Sequence, residues 1–311
     1  FSSLHKYYDI VEKIKEDNIY VFDLNSTGFD EKTDKSYYQA LRKIKNKTNS
    51  YGDYRGLEEL RIEFSKYYNE KIKINKYDKN DIQITLGASD AIISLLMSMC
   101  DSGDTILVLE PFFCDYRNYC EMLDLNIVYI TLDDLKKEIK IPQNCKAILF
   151  SNPNNPSGNI LNKKEMEDII KIAIKNDLYI ISDEVYSELV YDNFISFAAF
   201  EYEKIIVVDS VSKKFNNGGA RIGAIITKNE KILIDMAKIY DSRISISNIE
   251  QIAISNMFRN KKRILDNNLK VYNNKVRIIE NFLKKQNEID YEIPKGGVFF
   301  LLTLHGVDTD L

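Results

Sequence analysis

One short segment gathers hydroxyls, an amine and a guanidinium: Ser210-Val211-Ser212-Lys213-Lys214-Phe215, followed by Gly219-Ala220-Arg221-Ile222-Gly223. Such a set can grip a phosphate-bearing aldehyde and hold it covalently through lysine, because an unprotonated amine adds to a carbonyl while arginine and hydroxyls take the phosphate. Taken alone it is also an ordinary solvated loop. Four further loops decide between the readings. Gly87-Ala88-Ser89-Asp90 joins an apolar run to an apolar helix, where small residues expose backbone N–H groups to an anion and Ser89 adds a donor; its plain alternative is an N-cap. Glu110-Pro111-Phe112-Phe113 offers an aromatic face for a flat ring, or simply core. Ser151-Asn152-Pro153-Asn154-Asn155-Pro156 is dense in turn formers, yet Asn155 brings an amide donor. Ser182-Asp183-Glu184-Val185-Tyr186 ends an apolar run on a carboxylate, which burial makes costly unless a cation or N–H meets it; a pyridinium N–H would serve, as would a helix-capping role.

The elements needed to position these loops are legible. Short β-branched or aromatic runs at 81–86, 105–110, 126–130, 146–150, 178–182, 204–209 and 221–227 read as strands, several of them apolar throughout as strands buried on both faces should be. Between two of them Met166, Ile169, Ile170 and Ala173 mark one helix face. Alternating strands and helices predict an α/β fold with a mostly parallel sheet covered on both sides, and ligands bind beyond the carboxyl ends of its strands. Beyond residue 230 the pattern is helical, with Val276, Ile279 and Phe282/Leu283 on one face, and then comes a strand-like run over 298–302. The last residues, Val307 to Leu311, read as the start of another helix, so the sequence is expected to be incomplete there.

Composition narrows the function classes. With 311 residues, 44% apolar and 29% charged, the chain suits a globular protein with a sizeable core. A net charge of -4 gives no electrostatic case for nucleic acid or anionic membrane, and no apolar run is long enough to span a bilayer. The start lacks a signal-peptide pattern, and a cytoplasmic protein is expected. Cys100, Cys114, Cys120 and Cys145 form no Cys-x-x-Cys pair and read as reduced thiols; His5 and His305 alone do not support a zinc site or a Ser-His-Asp triad. No G-x-G-x-x-G or Walker A sequence occurs.

Taken together, from Tyr51-Gly52-Asp53-Tyr54-Arg55-Gly56 to Pro294-Lys295-Gly296-Gly297, the chain resembles the class I/II aminotransferases of the aspartate aminotransferase superfamily, the PLP-dependent enzymes of fold type I. The resemblance implies pyridoxal 5'-phosphate as cofactor and a ping-pong aldimine/ketimine transfer of an amino group from an L-α-amino acid, aspartate-like or aromatic, to a 2-oxo acid such as 2-oxoglutarate. It implies that Lys213 is the Schiff-base lysine, Asp183 the partner of the pyridine nitrogen, and Tyr186 and Asn155 the donors to the ring oxygen. Phe113 takes the stacking position, and Gly87, Ala88, Ser89, Ser210, Ser212 and Arg221 the phosphate cup. Tyr51 matches a tyrosine that reaches the other subunit's phosphate, which implies a homodimer. Thr27 and Asn155 fall on the substrate side, with Thr27 and Phe29 standing where relatives usually have Gly and Pro. The arginine that binds the substrate carboxylate in relatives lies beyond the end of this sequence. The implied organisation is a large cofactor domain over 35–235 and a small α+β domain from 1–34 and 236–311. The same scaffold also hosts β-eliminating C–S lyases and non-catalytic sensor domains, which the residues alone do not separate.

Overall fold

In a computed structural model that describes residues 31–44, 50–137 and 139–305, the apolar runs form one seven-stranded sheet. Its strands are β1 (Ile82–Thr85), β2 (Thr105–Leu109), β3 (Asn126–Ile130), β4 (Cys145–Ser151), β5 (Tyr179–Asp183), β6 (Ile205–Ser210) and β7 (Gly223–Thr227). The spatial order is β1-β7-β6-β5-β4-β2-β3. All are parallel except β7, which runs antiparallel to β1 and β6. The reason lies in the connection: β6 and β7 are joined by a four-residue helix and a short 3-10 turn, too little for the crossover a parallel return needs. Every residue of β1, β2, β6 and β7 is buried, which explains the absence of alternation in their sequences, whereas β3 is half-exposed at the sheet edge.

The helices α1 (Lys35–Lys43), α2 (Glu58–Ile72), α3 (Ala88–Met99), α4 (Asp115–Met122) and α5 (Lys163–Lys175) precede a single-turn α6 (Val211–Lys214), then α7 (Glu230–Ser242), α8 (Asn248–Arg259) and α9 (Lys261–Leu283). The expected face of α5 is present: Met166, Ile169 and Ala173 are buried and Ile170 partly so, behind a capping box of Asn162 and Glu165. Elsewhere in the core α2 and α8 bring Phe64 and Phe258 together at 4.7 Å, and Phe215, just after α6, meets Phe258 at 5.0 Å. This aromatic packing fixes the segment that carries the two lysines to the body of the core.

Two expectations for the C-terminal part are corrected. Ile279 shares a helical face with the buried Tyr272 and Leu283, but among the described residues no element covers it, and it and Phe282 stay exposed. The strand expected over 298–302 is found later, at β9 (Leu302–Leu304), paired with β8 (Ile289–Tyr291). The preceding glycines are drawn elsewhere: Gly297 N–H donates to Leu189 C=O and Gly296 bridges Val190, so the segment is held against the 189–191 loop before it can join a ladder. The cysteines are free, with Cys120 and Cys145 buried, and burial pushes their thiols up to about 11. Among the described residues no helix is long and apolar enough to cross a membrane.

Candidate active site

The loops singled out in the sequence all leave the carboxyl ends of strands, and the structure brings them to one cavity of about 230 Å³. Ala88, Ser89, Phe113, Asn155, Asp183, Tyr186, Ser210, Ser212, Lys213 and Arg221 line it. Gly87 lies beside it, and Tyr51 does not reach it: its ring is 83% exposed. Thr27 lies outside the described residues.

One end of the cavity is built for an anion. Gly87 begins α3 at a φ of 86°, a conformation glycine adopts without strain, and leaves the first N–H groups of a 12-residue helix facing the space. A Cβ on Gly87 would come within 2.5 Å of the Arg221 guanidinium. That guanidinium is aimed by its own bonds, donating to Gly218 C=O at 3.0 Å and Leu86 C=O at 3.2 Å. Ser210 caps α6 by accepting the Ser212 N–H at 3.1 Å, and its hydroxyl donates to Ser212 Oγ at 2.9 Å. Gly87→Ala is expected to add about 1–3 kcal/mol of backbone strain and to push Arg221 aside. Weaker binding of inorganic phosphate, measured by calorimetry, together with a lower Tm would show it.

The other end is acidic and the middle basic. Asp183 is 5% exposed at the last residue of β5, and burial pushes its carboxyl up to about 6, against the pull of a Tyr116 hydroxyl donating at 2.9 Å and the Val185 N–H. Burial likewise drives the Lys213 ammonium down to about 8, with Arg221 adding repulsion and Asp183 opposing it. The Lys213 Nζ stands 5.8 Å from the centre of the Tyr186 ring, and burial raises the Tyr186 hydroxyl so that it stays protonated and able to donate. Asn155 is set by its N–H donating to Ser151 Oγ at 2.9 Å. Phe113 lines the cavity and meets Tyr116 in a T-shaped pair with ring centroids 5.6 Å apart.

Sequence reasoning passed over Tyr116, Tyr119 and Ser151, all part of this wall or directly behind it. Tyr116, in the first turn of α4, reaches Asp183 across 67 residues of sequence, so no local pattern marked it. Lys214, next in sequence to Lys213, does not line the cavity; it is fully buried and paired with Asp209.

The profile of the family described as aminotransferase class I and II matches residues 18–310. Among individual proteins, the chain is 32% identical over 198 residues to the (5-formylfuran-3-yl)methyl phosphate transaminase of Methanocaldococcus jannaschii, covering 62% of this chain and 52% of that one. It is 28% identical over 222 residues to human kynurenine–oxoglutarate transaminase 3, covering 65% and 48%. These matches span about half the length of those relatives. Among solved structures, an alanine aminotransferase from Pyrococcus furiosus superposes with a TM-score of 0.89 at 24% identity, over 96% of this chain and 81% of that one. A Thermus thermophilus aspartate aminotransferase variant gives 0.88 at 21%, with the same coverage. The fold is therefore fold type I, and with nearly the whole sequence matched by the family profile, the chain belongs to the class I and II aminotransferases.

Proposed function

We propose that this chain is a pyridoxal 5'-phosphate-dependent aminotransferase acting on an L-α-amino acid, aspartate-like or aromatic, with a 2-oxo acid such as 2-oxoglutarate as acceptor. The observation that carries the reading is the single cavity that places an anion cradle at one end, a buried carboxylate at the other, and a lysine held near neutral pKa between them. These donors fit the cofactor: Gly87, Ala88, Ser89, Ser210, Ser212 and Arg221 suit a phosphate, Phe113 a flat ring, Asn155 and Tyr186 a ring oxygen, and Asp183 a protonated ring nitrogen.

Pyridoxal phosphate, when bound, supplies an aldehyde for the amine and a ring that takes up the electron pair left when the substrate Cα loses its proton. Asp183 favours that uptake by keeping the ring nitrogen protonated, since a buried carboxylate is stabilised only with an N–H or cation against it. Lys213 reacts because a pKa of about 8 leaves a usable neutral fraction at neutral pH. With its amine free in the cavity, Lys213 would be the general base for the substrate Cα proton and, once protonated, the general acid that gives it back. Arg221 and the serines keep the phosphate fixed during this exchange, so the proton moves over a constant geometry.

The reading divides the chain into a large cofactor-binding unit over 35–235 and a small one from 1–34 and 236–311, the division falling within α7. It also makes the working form a cytoplasmic homodimer, in which the exposed Tyr51 is contributed to the partner's phosphate site. Thr27 and Asn155 are assigned to the substrate side.

The test is a visible spectrum of the full-length protein with added pyridoxal phosphate, before and after L-aspartate, L-glutamate or an aromatic amino acid. A yellow band that bleaches with amino acid and returns with a 2-oxo acid is expected. Covalent capture should speed up as pH rises toward 8, because the lowered lysine pKa releases the neutral amine there. Pyruvate and ammonia released from a cysteine conjugate without an oxo acid would replace this reading with elimination.

A further inference from the structure

Two consecutive lysines end α6, and the fold sends them in opposite directions: Lys213 lines the cavity, while Lys214 is fully buried against Asp209. A helix of four residues has one turn and cannot hold itself, because nucleation alone is unfavourable. Asp209 supplies the missing constraint. One of its carboxylate oxygens accepts the Ser210 N–H at 2.7 Å, and the other accepts the Lys214 ammonium and the Tyr68 hydroxyl, the latter at 3.0 Å. A single carboxylate thus ties the residue before α6 to its last residue.

The tie continues into the neighbouring loop. Lys214 Nζ lies 4.0 Å from the centre of the Tyr67 ring, and the Tyr67 hydroxyl donates to Glu188, which also pairs with Lys71 at 2.7 Å. Glu188 stands two residues after Tyr186, so Tyr67 of α2 touches both the loop that carries Lys213 and the loop that carries Tyr186. A fully buried ion pair is no better for stability than apolar residues of the same volume, and its best-attested use is to specify one geometry.

We propose that Lys214, through its buried pair with Asp209 and its seat on Tyr67, is a positioning residue that fixes α6 so that Lys213 points into the cavity. The inference rests on Lys213 as the reactive amine, and it is tested on the protein without cofactor. The double variant Asp209→Asn/Lys214→Met removes both charges together, so neither is left buried alone. The readout is the pH dependence of Lys213 acetylation by limiting acetic anhydride, followed by mass spectrometry with exposed Lys163 as reference. In the native protein Lys213 should titrate near 8, set by burial and by Asp183 and Arg221 facing it. In the folded double variant it should move toward the ordinary lysine range by about one unit or more. Covalent capture of pyridoxal phosphate should slow by about 10²-fold, with inorganic phosphate affinity unchanged. Asp209→Glu keeps both charges and lengthens the tie by one methylene, and is expected to shift the titration in the same direction. Native Lys213 titration in either folded variant overturns the proposal. Failure of the native protein to fix pyridoxal phosphate at Lys213 on borohydride reduction would instead sink the proposed function, while a shifted titration would still establish the positioning role.

Discussion

Lys213→Ala should abolish borohydride-fixed pyridoxal phosphate and lower transamination by roughly 10²–10⁴-fold from lost proton transfer alone, with the loss of the covalent attachment added to that. The fold should survive. A lysine whose pKa falls to about 8 on folding binds fewer protons in the folded chain than in the unfolded one between pH 8 and 10.5, so its effect on stability improves as pH rises through that window and is unfavourable below it. Alanine removes that dependence. Thermal unfolding at pH 7 and pH 9 should therefore show no loss of Tm at pH 7 and a smaller gain between the two for the variant. Peptide mapping that found the label on Lys214 would reassign the role, against the full burial of that side chain.

The second large effect is expected from Asp183→Asn. Asparagine retains an acceptor for the Tyr116 hydroxyl, but removes the charge that a protonated ring nitrogen requires. Breaking a buried pair from one side costs about 3–5 kcal/mol, which corresponds to roughly two to four orders of magnitude in turnover or cofactor affinity. The pH dependence gives an independent check. With its carboxyl pushed up to about 6, Asp183 in the native protein is ionised above that pH and progressively neutral below it. Pyridoxal phosphate affinity, measured by equilibrium dialysis from pH 5 to 8, should fall on the acid side of 6 in the native protein and lack that component in the variant. A variant with native turnover and the same acid limb would show that Asp183 does not serve the ring nitrogen.

The strand ends were readable because apolar runs of five or so residues terminating in Asp183, Ser210 or the Gly87 loop have few other interpretations in an α/β chain. All seven strands of the main sheet appear within a residue or two of their expected positions. The direction of β7 was not readable, since a β-branched run looks the same in either direction and only the short connection before it decides. Tyr116 escaped for a similar reason. Its contact with Asp183 spans 67 residues, and nothing local to either residue records it. The Lys214–Asp209 pair was invisible as well: two adjacent lysines read as solvated, and only the packing of α2 beneath α6 shows that one of them is in the core. The exposed apolar side of α9 reverses the case, for the periodicity was plain and the covering partner was not.

The reversed β7 has a geometric consequence for the whole cavity. A strand that enters the sheet from the edge where its neighbours leave it delivers its first residue, not its last, to that edge, and Gly223 accordingly lies level with both Thr85 and Ser210. The residues just before Gly223 therefore hang between the two loops that follow β1 and β6, which is how Arg221 comes within reach of Gly87. Had the connection been long enough to return β7 in parallel, the guanidinium would stand at the opposite rim, about five residues of strand or roughly 17 Å away. The brevity of that link is thus a ruler: it measures out the distance between the positive charge and the helix start that stand at one end of the cavity.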